Sequence, residues 1–176
     1  MSKRKNILAI IGSAASASAN LKLVEEIARM TANDFDITIY THLKTLPHFD
    51  PEISVNNPPE EIIAFRNAVH QADGLIISTP EYIFSIPSGL KNAIEWCIAT
   101  TVFANKPTAL ITASANGQKA HEELQLIMKT AMAKFSEGTT LLIQGIKGKI
   151  DEEGKLKDED VIVKVEKLIG AFRILL

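Results

Sequence analysis

The run Thr79-Pro80-Glu81-Tyr82-Ile83-Phe84-Ser85-Ile86-Pro87 sets a carboxylate, a phenol and a second aromatic ring into one short turn between two prolines. An apolar run, Gly74-Leu75-Ile76-Ile77-Ser78, leads into it. An amphipathic stretch, Leu90-Lys91-Asn92-Ala93-Ile94-Glu95-Trp96, leads out. Open α/β sheets hold ligands outside the carboxyl ends of their strands. A turn of this make suits a planar heteroaromatic group. Tyr82 or Phe84 can pack on its face, and a backbone stiffened by Pro80 and Pro87 can offer N–H and C=O groups to its edge. A second turn, Gly12-Ser13-Ala14-Ala15-Ser16-Ala17-Ser18-Ala19-Asn20, follows the first apolar run. Its small side chains let an anion approach the amides at a helix N-terminus, which carries roughly half a positive charge. The hydroxyls of Ser13, Ser16 and Ser18 can donate to phosphate oxygens, and Ser18 or Asn20 can cap the helix. The turn carries neither the Walker lysine nor G-x-G-x-x-G. A third small polar turn is Ser114-Ala115-Asn116-Gly117-Gln118. Three such turns gathered on one edge would hold a flat ligand with a phosphate tail.

The elements that must bring these turns together are legible as periodicity. Five apolar runs, at 7–11, 37–40, 75–78, 109–113 and 140–143, are continuous rather than alternating, as in strands covered on both faces. Helical spacing separates them. It is marked by Leu23, Ile27 and Met30, by Ile62, Phe65 and Val69, and by Leu90, Ala93, Ile94 and Cys97. Leu124, Ile127, Met128, Ala131 and Phe135 mark the fourth helix, and Val161, Val165, Leu168, Ile169 and Phe172 the last. The alternation predicts an α/β fold: a flavodoxin-like three-layer α/β/α sandwich around a five-stranded parallel sheet. In the flavodoxin order, 2-1-3-4-5, the first, third and fourth strands are neighbours at the switch point, so the three turns share an edge. Residues 41–59 hold four prolines and are expected to form a long surface loop. Residues 145–160 are expected to form a turn or exposed hairpin.

The chain has 176 residues, which suits one domain spanning 1–176. A net charge of −2 argues against nucleic acid as a partner. No apolar stretch approaches the roughly 20 residues that span a bilayer, so no membrane partner is expected and the expected location is cytoplasmic. The single cysteine, Cys97, excludes an internal disulfide and sits on an apolar helix stripe, as a buried structural thiol does. His42, His48, His70 and His121 lack metal-ligand spacing. No G-x-S-x-G elbow accompanies the serines, which argues against hydrolase chemistry.

The sequence is similar to the NAD(P)H-dependent FMN reductase family, the flavodoxin-like group of bacterial quinone, azo-dye and chromate reductases. The resemblance lies in two motifs. Members carry G-S-x-R-x-x-S-x-N where this chain has residues 12–20, and P-E-Y-N-x-S-I-P-G-x-L-K-N-A-hydrophobic-D-W where it has residues 80–96. The resemblance implies that FMN is the cofactor and NADPH or NADH the electron donor. It places the FMN phosphate at Ser13, Ser18 and Asn20, with Ala19 and Leu21 beside it. It lays the isoalloxazine ring along Pro80, Glu81, Tyr82, Ile83, Phe84 and Ser85, over Ser114, Asn116 and Gly117. It also implies a small-molecule electron acceptor, a flavin or quinone, and a homodimer or homotetramer. No side chain is expected to be catalytic and no metal is expected. Two departures from the pattern matter: Ala15 replaces the loop arginine, and Ile83 replaces the asparagine after the tyrosine. Both point to weaker flavin affinity or altered nucleotide choice. They also leave open a degenerate, flavin-free interaction domain, while a non-enzymatic flavin-binding electron carrier is a separate competing reading.

Overall fold

The computed structural model describes residues 3–176. Five strands, β1 (Lys5–Ile11), β2 (Phe35–Tyr40), β3 (Gly74–Thr79), β4 (Thr108–Ser114) and β5 (Thr140–Gln144), form one parallel sheet in the order β2-β1-β3-β4-β5. Five helices connect and close them: α1 (Ala19–Met30), α2 (Glu60–Gln71), α3 (Ser88–Cys97), α4 (Gln118–Thr130) and α5 (Glu159–Leu175). This is the expected flavodoxin-like sandwich with the expected strand order.

The unbroken apolar runs have a direct cause. Leu8 and Ile10 point into a core with Phe65, Leu90, Trp96 and Leu124, while Ile7, Ala9 and Ile11 point into a second core with Leu23, Ile27, Val165 and Phe172. Both pleats of β1 are therefore buried, and β3 is buried along its whole length. The edge strands differ. β2 and β5 are only partly covered, because each has a neighbour on one side alone.

Three local expectations need correction. Helix α4 ends at Thr130, so Phe135 lies beyond it. Met132 takes a φ of 60° just past the helix end, and its carbonyl accepts from Asn105 N at 2.8 Å. Residues 41–59 are not a plain surface loop: a 3-10 turn at Leu43–Thr45 buries Leu43 and Leu46, and Ser54 is buried further on. Residues 145–160 do pair back on themselves, through an antiparallel bridge between Ile150 and Leu156. Those two side chains and Ile146 are buried rather than exposed.

Strand β1 sits at the point where the sheet order reverses, with β2 on one side and β3 on the other. The loops that leave β1 and β3 at their carboxyl ends run in opposite directions and open a crevice between them. At its base the two backbones touch. Gly12 N donates to Ser78 O at 2.8 Å, and a Cβ on Gly12 would lie 2.5 Å from Thr79 Oγ1. Only glycine permits that approach.

Candidate functional site

A cavity of about 500 Å³ opens at this crevice. That size lies within the range of small-molecule sites, about 300–1,000 Å³. One wall is the first loop, from Gly12 to Ser16. A second is the segment after β2, including His42, Lys44 and His48. Tyr82 and the start of α3, from Pro87 to Gly89, complete it. Of the residues expected at an FMN site, Ser13, Leu21 and Tyr82 line the cavity directly. The phenol of Tyr82 lies 3.3 Å from Ser13 Oγ, so the first and second loops meet there.

The first loop owes its shape to its own side chains. Ser13 Oγ accepts from Ala15 N at 3.2 Å, and Ser18 Oγ caps α1 by accepting from Leu21 N at 3.1 Å. No acidic residue occupies the first turn of α1, so its positive end is left uncompensated. The amides of Ser13, Ala14 and Ser16 donate to no protein acceptor among the described residues. Asn20 is buried, and its side chain turns inward. Nδ2 donates to Ala113 O and Oδ1 accepts from Ser78 Oγ, both at 2.9 Å. Asn20 thus ties the first turn of α1 to β3 and β4 at once.

The second loop is a two-residue hairpin. Tyr82 N donates to Ser85 O at 2.9 Å, and Ser85 N returns the bond to Tyr82 O at 3.1 Å. Its apex residues, Ile83 and Phe84, take φ of 51° and 59°. This is the pattern of a type I′ turn, which glycine and asparagine favour. A β-branched side chain there is strained by about 1–3 kcal/mol. Two carboxylates hold it in place. Glu123 Oε2 accepts from Ser85 Oγ at 2.6 Å and from Ile86 N at 2.9 Å. Glu81 accepts from Gly117 N at 3.3 Å and Ala120 N at 3.0 Å, at the positive end of α4. Pro80 is buried beside them, and the apex stands in solvent, Ile83 at 94% exposure and Phe84 at 73%.

The third loop joins the second rather than the cavity. Ser114 Oγ accepts from Glu81 N at 3.2 Å, and Asn116 Oδ1 accepts from Gln144 on β5 at 2.8 Å. Gly117, at a φ of 86°, packs closely enough that a Cβ would lie 2.9 Å from Leu142. Next to it, His121 Nδ1 and Thr112 Oγ1 share a hydrogen bond of 2.9 Å. Burial pushes the His121 imidazole below its ordinary value, against an opposing pull from Glu122. The folded chain therefore keeps His121 neutral where the unfolded chain takes up a proton. Stability from this group is intact above the unfolded value near 6.5 and is lost as pH falls toward the lower folded value. Across that window the His121→Gln variant is expected to lose less melting temperature than the parent. Parallel profiles in thermal denaturation would remove His121 as the cause.

Several residues of this site carry no signal in local sequence. The wall after β2 is strapped to α3. Asn92 Nδ2 and Trp96 Nε1 both donate to Pro47 O, at 2.9 and 2.8 Å, and Phe49 N donates to Asn92 Oδ1 at 2.7 Å. Arg66 grips Ser54 O and Oγ, each at 3.0 Å. Phe49 meets Trp96 edge to face at 5.4 Å. Cys97, beneath this strap, is buried, and its thiol is pushed up to about 12 by desolvation despite nearby Arg66. It is inert as a nucleophile. No group of three or more His, Cys, Asp or Glu side chains could hold a metal among the described residues. Among those residues, too, no helix is long and apolar enough to cross a membrane.

The cavity's chemistry suits a phosphate-bearing planar ligand. No carboxylate lines it, hydroxyls and free amides occupy one wall, and Leu21, Leu43, Leu46 and Tyr82 supply apolar surface. The quinone reductase of Escherichia coli K12 is 25% identical to this chain, over 98% of it and 95% of the relative. Subunit 2 of an NADH-dependent flavin reductase from Lactobacillus johnsonii is 31% identical, with 94% of both chains covered. The solved structure of the flavoenzyme NAD(P)H:(acceptor) oxidoreductase FerB from Paracoccus denitrificans has the same fold. It superposes with a TM-score of 0.78 at 22% identity, over 96% of this chain and 94% of that one. The family model for NADPH-dependent FMN reductase matches residues 5–145, and the chain belongs to that family.

Proposed function

We propose that this protein takes electrons from NADH or NADPH and passes them, through FMN bound at the crevice, to a flavin, a quinone or a similar small acceptor. The observation that carries the reading is the cavity at the switch point, walled by the two motif loops and lined by no carboxylate. Bound FMN supplies the ring that accepts hydride and passes electrons on. The chain's own part is to bind and orient.

The FMN phosphate would be received by free amides of the first loop, by the hydroxyl of Ser13 in the cavity wall and by that of Ser18, which caps α1; the uncompensated end of that helix supports this reading. Ala19, Asn20 and Leu21 form the turn that sets those donors, Asn20 by its inward bonds. Pro80, Glu81, Tyr82, Ile83, Phe84 and Ser85 form the rail along the ring. Glu81 and Glu123 fix that rail against α4, so its direction is set before any ligand arrives. Ser114, Asn116 and Gly117 support the rail from the β4 side. Such preorganisation supplies rate by positioning, and no side chain needs to act as acid or base.

The same reading takes residues 1–176 as one domain working in the cytoplasm, as a homodimer or homotetramer. The exposed apex at Ile83 and Phe84 supports the oligomer, because a subunit contact there would cover two apolar side chains that stand in solvent.

Titration with FMN, followed by visible absorption, tests the reading. A perturbed flavin spectrum and a raised melting temperature are expected. NAD(P)H oxidation that depends on added quinone then separates an enzyme from an electron carrier. A protein that leaves the FMN spectrum and its own melting point unchanged at high FMN is not a flavoenzyme.

A further inference from the structure

Charge around the cavity is one-sided. The chain has 21 acidic residues, yet none lines the cavity, while Lys44, His42 and His48 all do. Lys44 follows buried Leu43 in the 3-10 turn after β2 and is exposed. Some surface lysines pair with acids, as Lys91 does with Glu95 and Lys119 with Glu122, and others do not; what sets Lys44 apart is its place in the cavity lining, where it is the one lysine or arginine among the described residues. Lys44 has no ion pair and no side-chain hydrogen bond among the described residues. Its backbone is nonetheless held. Leu43 and Leu46 are buried on either side, and Asn92 and Trp96 pin Pro47 just beyond. The same cavity is lined by Ser13, Ala14, Ala15 and Ser16, small residues without charge. A free cation on a held segment, lining the same cavity as open amides with no carboxylate beside them, is an arrangement for a phosphate.

We propose that Lys44, flanked by His42 and His48, holds a phosphomonoester in this cavity and is the charged anchor for ligands of the site. The inference rests on the FMN-dependent NAD(P)H oxidoreductase reading above. Two ligands of that reaction carry the group: FMN at the end of its ribityl chain, and NADPH at its 2′ position. The first loop, with Ala15, brings no cation of its own. The charge comes instead from the segment after β2, which no loop motif marks.

The full chain and its Lys44→Ala and Lys44→Glu variants are titrated with FMN and with riboflavin, which lacks the phosphate. Calorimetry compares NADP+ with NAD+. Melting temperatures are expected to match the parent, since the side chain is exposed. If the flavin phosphate is the ligand, the FMN dissociation constant rises about tenfold in Lys44→Ala and further in Lys44→Glu, with riboflavin unchanged. If the nucleotide 2′-phosphate is the ligand, the NADP+ constant rises by about the same factor and that of NAD+ does not. Either result supports the anchor and names its source. Unchanged affinity for both phosphate ligands, or an equal loss for the phosphate-free partners, overturns it. A parent protein that binds FMN, with variants that match it for both FMN and NADP+, sinks only the Lys44 inference. A parent that fails to bind FMN sinks the flavin reading as well, and the anchor with it.

Discussion

Replacing Asn20 with alanine is expected to lower the melting temperature by roughly 5–12 °C, a loss of about 2–4 kcal/mol. The side chain is buried and spends both ends of its amide, one on Ala113 O and one on Ser78 Oγ. Alanine leaves both partners buried without a bond, and each orphaned polar group costs about 1–3 kcal/mol. Aspartate at this position is no remedy. It can accept from Ser78 but sets a carboxylate against the Ala113 carbonyl. FMN affinity is expected to fall with stability, because the same bonds set the first turn of α1 under the loop amides. Thermal denaturation and flavin titration of Asn20→Ala and Asn20→Asp check this. A variant that melts with the parent would show that the bridge to β3 and β4 contributes nothing.

Removing the Glu81 carboxylate is expected to cost about 1–2 kcal/mol of stability and about tenfold in FMN affinity. Gly117 N and Ala120 N then lose their acceptor at the positive end of α4, and the hairpin loses one of its two clamps. Strain at Ile83 and Phe84 makes the second effect larger than the first suggests. Left-handed backbone at two non-glycine residues persists only while its surroundings enforce it. Glu81→Gln keeps one acceptor oxygen and is expected to fall between parent and Glu81→Ala in both readouts. Equal FMN constants for all three proteins, alongside lowered melting temperatures, would separate the hairpin's direction from flavin binding.

Family membership changes what the two departures from the motif mean. Ala15 and Ile83 kept a flavin-free interaction domain in play when the residues stood alone. The structure shows a cavity beside Ala15 and an intact hairpin around Ile83, so neither substitution has collapsed the loop that carries it. Ile83 instead puts an apolar side chain on the apex, where the family pattern has a polar one.

Much of the fold was legible because burial on both faces leaves a periodic trace. Strands β1, β3 and β4 read as unbroken apolar runs, since their pleats feed two cores, and Leu90, Ala93, Ile94 and Cys97 marked the buried stripe of α3. The end of α4 was misplaced because Phe135 continues the apolar spacing, while the left-handed turn at Met132 that stops the helix has no glycine to announce it. The loops after β1 and β3 were legible by composition: small residues, prolines and an aromatic ring in short turns after strands. Asn92 and Trp96, part of the same motif, gave no hint that they strap Pro47 and Phe49 onto α3. Glu123 likewise read as one more charge on a helix, yet it reaches across to Ser85 and Ile86.

By itself, then, the sequence determined the strands, their covering helices and the two motif loops, because periodicity and turn chemistry are local properties written residue by residue. Only the tertiary structure decided what stands around the crevice. It turned Asn20 inward, clamped the hairpin with Glu81 and Glu123, and made residues 41–48 a wall that carries Lys44. Those outcomes depend on single hydrogen bonds between residues tens of positions apart, and no spacing within one segment encodes them.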